Sequence, residues 1–60
     1  MTGYRKAAIS AEDICQYLAT ADAMQGIDEG ATARSERHAR AEFVKLAAAL
    51  GYAVAPLVAA

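Results

Sequence analysis

Sixty residues allow a single domain at the lower edge of what folds alone, and a net charge of −1 excludes a strong unspecific pull toward nucleic acid or an anionic membrane. The hydrophobic share of 57% overstates the bulk at hand, because 17 of the 34 residues counted are alanine. A chain this rich in alanine and poor in β-branched and aromatic residues favours helix, since alanine gives up no side-chain entropy there. One all-α domain over residues 1–60 is therefore expected.

Cys15 is the only cysteine, so an intrachain disulfide is excluded and the cytoplasm is the expected location. Glu12 and Asp13 interrupt the chain before a signal-peptide apolar core could form. Residues 46–60 carry no charge but are broken by Gly51 and Pro56 and fall short of the ~20 residues a membrane span needs. A soluble protein without a membrane partner is expected.

Residues 1–8 show no periodicity and read as a short basic arm containing Tyr4, Arg5 and Lys6. At residue 9 the signals sharpen. Ser10 suits an N-cap, Asp13 stands where a carboxylate reaches back to the cap, and Ile9 with Ile14 form the two halves of a hydrophobic staple. A first helix is predicted over about residues 11–25, with Ala11, Ile14, Leu18 and Ala21 on one stripe and Tyr17 and Met24 along its flank. Gly26 can turn left-handed at its end, and Ile27 can cover the last turn.

Residues 27–31 make a tight connection with two cap candidates. Either Asp28 caps a second helix that starts at 29 and tolerates Gly30, or Thr32 caps one that starts at 33. In both cases the helix runs to residue 50, where Gly51 ends it. At about 100° per residue, Thr32, Ala39, Phe43, Leu46 and Leu50 share one face, with Glu36 and Ala47 at its edge. Arg34, Arg37, His38, Ala41 and Lys45 lie opposite.

Two helices joined so tightly fold into an antiparallel hairpin. That register sets Leu18 near Ala39 and Ile14 near Phe43, and places the bulk of the core at the open end. The apolar C-terminal tail, with Tyr52, Val54, Leu57 and Val58, leaves from that end, and Pro56 denies it a long helix. A two-helix seam buries little for the number of residues it must order. Self-association into a helical bundle, or a partner, is expected to complete the fold.

No motif carries chemistry. His38 has no second histidine, cysteine or convergent carboxylates for a metal, and Cys15 beside Glu12 and Asp13 lacks the cationic setting of a reactive thiol, which leaves it a half-buried filler. The glycines are isolated, so no phosphate-cradling loop exists. The chain is read as not an enzyme, with no catalytic, metal or cofactor-binding residue.

What remains is surface. The first expectation is a small protein–protein interaction module, a regulator or inhibitor that docks on a larger partner or acts as a homodimer, using Tyr17, Phe43, Leu46, Leu50, Val54 and Leu57. A second is a nucleic-acid-binding regulator using Arg34, Arg37, Arg40 and Lys45, or a nucleic-acid mimic using the −5 charge of Glu12, Asp13, Asp22, Asp28 and Glu29. The near-neutral total disfavours nucleic acid. A third is a small structural subunit of a larger assembly.

Overall fold

The computed structural model describes residues 2–57, in which helix α1 (Thr2–Met24) and helix α2 (Glu29–Ala49) form an antiparallel hairpin followed by a tail without regular structure. Val58 and the rest of the chain end lie outside the described residues.

Helix α1 starts eight residues before the expected cap. Ser10 is not an N-cap but an internal residue, 6% exposed, and the basic arm is the first two turns of the helix. Two physical facts override the cap signal. Residues 4–9 contain no breaker, and Ala7 and Ser10 are small enough to be buried against α2, so packing rewards continuation. The staple pairing fails for the same reason: Ile9 is half-exposed on the helix surface.

The connection resolves the choice of caps. Asp28 has extended backbone (φ −140°, ψ 94°) and its Oδ1 accepts from the Ala31 N–H at 3.0 Å, so α2 starts at Glu29. Thr32 joins the same cap from inside, its N–H and Oγ1 both donating to the Asp28 carbonyl at 3.0 Å. Glu29 reaches back so that its Oε1 accepts from the Gly26 N–H at 3.0 Å. Ile27, far from covering the preceding turn, is exposed.

The far end of α2 closes by a Schellman motif. Gly51 takes φ +88°, its N–H donates to the Ala48 carbonyl at 3.0 Å, and the Tyr52 N–H donates to Ala47 at 2.8 Å. The tail is thereby turned back along the flank of α2.

The seam is built of small residues. Ala7, Ser10, Ser35, Ala39 and Ala47 are buried, and among the described residues no large side chain is fully buried. Phe43 and Leu50, expected at the centre of the core, are each 50% exposed. The reason is steric. Helices that meet through alanine and serine approach closely, and the bulky residues of the same broad apolar face are turned to the margin, leaving Ile14, Tyr17 and Leu46 half-buried beside the seam. The product is a plate of one helical layer, 41 × 29 × 11 Å.

Candidate interaction surface

The two broad faces of this plate differ in chemistry. On one, Ile14 and Leu18 of α1 and Ala39 and Phe43 of α2 line a groove of about 320 Å³, with the ion-paired Glu36 and Arg40 at its rim. Phe43 and Arg40 line both this groove and a second, where Val44 meets Val54, Pro56 and Leu57 of the tail. The apolar residues Leu18, Phe43 and Leu57 thus lie along two adjoining grooves that share Phe43 and Arg40. Helical spacing explains it: Ile14 and Leu18 are four apart and stack one turn above the other.

The opposite face carries charged side chains beside the apolar Ile9, Ala48 and Ala49. Lys6, Ser10 and Asp13 of α1 stand across a groove from Glu42 and Lys45 of α2. Lys45 Nζ donates to Glu42 Oε2 at 3.1 Å. This bond holds the Glu42 carboxyl below its ordinary value of 4.5; burial pulls the other way, while the Lys45 charge, Ser10 and Asp13 lower it further. Nearer the loop, the ring of His38 stacks on Tyr17 with centroids 5.0 Å apart and planes 21° from parallel. The groove holds two acids, Asp13 and Glu42, and two bases, Lys6 and Lys45, so its formal charges sum to zero.

The residues expected to bind a partner divide accordingly. Phe43, Leu50, Val54 and Leu57 are exposed, and Phe43, Val54 and Leu57 line the apolar grooves. Leu46 is a half-buried seam residue, and Tyr17 belongs to the charged side through its stack on His38. Ile14, Leu18 and Val44 complete the apolar surface. Their signal in the sequence is the same apolar periodicity that defines the helices, and it does not say which residues the seam leaves uncovered.

The basic residues do not converge. Arg40 lines the apolar groove and pairs with Glu36, Lys45 lines the charged groove and pairs with Glu42, and Arg34 and Arg37 are exposed on α2. His38, expected as a solvated residue beside the arginines, is exposed, and its ring also stacks on Tyr17 of α1. Cys15 is exposed as a free thiol, not half-buried, because the seam runs along Ser10, Ile14 and Tyr17 and leaves it outside.

Among the described residues no group of three or more histidines, cysteines or acids could hold a metal ion, and no helix is long and apolar enough to cross a membrane. Comparison with protein-family models, curated proteins and solved structures returns no match.

Proposed function

We propose that the chain is a non-enzymatic protein-interaction module of the cytoplasm, a regulator that acts by laying its apolar face on another protein surface. One observation carries this reading: the seam is closed by alanine and serine, while Leu18, Phe43, Val44 and Leu57 stand at least half exposed on one side. Bulky side chains outside the seam contribute little to the hairpin and are a standing cost in water, which contact with a protein surface removes. A free, exposed Cys15 suits a reducing compartment.

The test is a photo-crosslinking amino acid placed at position 43 in the native host, with the outward position 37 as control. Crosslinked protein adducts are expected from 43 and not from 37. Absence of any protein adduct from 43, at normal expression, would end this reading.

A further inference from the structure

Resting on that interaction reading, we infer that residues 52–57 are an apolar strap that closes over Phe43 and Val44, an autoinhibitory contact that a protein partner must displace to reach the apolar grooves.

The first observation is placement. The turn at Gly51 (φ +88°) sends the chain back beside α2, and Val54, Pro56 and Leu57 become one wall of a groove of about 570 Å³ whose other wall is Arg40, Phe43 and Val44. The strap stands directly in front of the residues it covers on closing. Phe43 also lines the groove between α1 and α2, so a closed strap limits access to both grooves at once.

The second observation is how the strap is held. The Tyr52 N–H donates to the Ala47 carbonyl at 2.8 Å, and among the described residues no main-chain hydrogen bond fixes the tail beyond it. Tyr52 is therefore the pivot, and the segment after it turns without breaking a backbone bond. Leu57 is 99% exposed and Val44 54%, so the strap stands open with apolar surface on both walls. Closure takes both out of water.

The third observation is chemistry. Residues 52–57 carry no charge, so closing desolvates no ionised side chain of the tail, and Arg40 on the facing wall is already paired with Glu36. Pro56 fixes its own φ and biases Ala55 toward extended backbone, which leaves little conformational freedom to lose. In a polyproline-like run, with three residues per turn, Val54 and Leu57 return to one side and form a single apolar edge.

Nuclear Overhauser contacts in the full chain, a neutral dye and the photo-crosslinker at position 43 together test this. Contacts from the Val54 and Leu57 methyls to the Phe43 ring are expected, and their absence overturns the strap. Leu57→Asn should keep the helix content and bind more Nile red, because Phe43 and Val44 lose their cover; equal or weaker dye binding overturns closure. Val54→Asn, on the same edge, gives an independent route should Leu57→Asn fail to fold. In the native host, Leu57→Asn should raise the adduct yield from position 43 about tenfold, the factor that burial of one leucine side chain supplies. An unchanged yield overturns the inhibitory role. No adduct from either chain ends the interaction reading and the inhibition with it, whereas the Overhauser contacts and the dye still decide the strap.

Discussion

Gly3 lies against the end of the neighbouring helix so closely that a Cβ at position 3 would stand 3.0 Å from the Ala49 carbonyl oxygen. The contact is with backbone, which cannot swing aside as a flexible side chain does. It marks the open end of the hairpin as a place where α1 and α2 approach main chain to main chain. Gly30, near the start of α2, is different: a Cβ there would meet only the Asp28 carboxylate at 3.4 Å and the Arg34 side chain at 3.5 Å.

The two glycines therefore predict opposite outcomes for one substitution. Replacing a helical glycine by alanine ordinarily stabilises by up to about 1 kcal/mol. Gly30→Ala should realise part of that gain and raise the urea midpoint. Gly3→Ala should lose it to the clash with Ala49 and leave the midpoint unchanged or lower. A clear rise for Gly3→Ala would show that the helices are not in close contact at the open end.

The start of α2 depends on one side chain. Asp28 satisfies the Ala31 N–H, while its carbonyl holds Thr32 twice, and its charge lies at the positive end of the helix dipole. Asp28→Ala should cost about 1 kcal/mol of folding free energy in denaturant titration. Thr32→Val removes only the hydroxyl that donates to the Asp28 carbonyl and should cost less. The reverse ranking would put the start of the helix at Thr32.

Helix ends are the most legible part of this chain because they are written in local chemistry. Gly26 and Gly51 stand, among the described residues, at the two points where φ turns positive, and Asp28 carries the acceptor its cap needs. The order of two helices and their antiparallel register also follow from short-range facts. The rotation of α2 is not legible in the same way. Periodicity places Ala39, Phe43, Leu46 and Leu50 on one broad arc, but which part of the arc meets α1 is decided by how closely two backbones can approach. Ser35, Ala39 and Ala47 win that contest by size, and Phe43 is left at the margin. Ser10 shows the same limit from the other side: its capping chemistry is genuine, and burial against α2 outweighs it.

The charged face gives the protein a dependence on acid. Because Lys45 holds the folded Glu42 carboxyl below 4.5, the unfolded chain binds that proton more tightly than the folded one. The stabilisation from this carboxylate is present above pH 4.5 and is lost as pH falls through the lower folded value. The groups facing it from α1 are Ser10, Asp13 and Lys6, and from its own helix Lys45. Urea midpoints measured downward from neutral pH should therefore fall more steeply below pH 4.5 in the native chain than in Glu42→Gln, with Lys45→Met reproducing most of the flattening because its hydrogen bond is the largest cause. Since the Lys45 side chain is largely exposed, the effect should also shrink with added salt. An acid limb identical in all three chains would show that the Lys45–Glu42 contact carries none of the acid sensitivity.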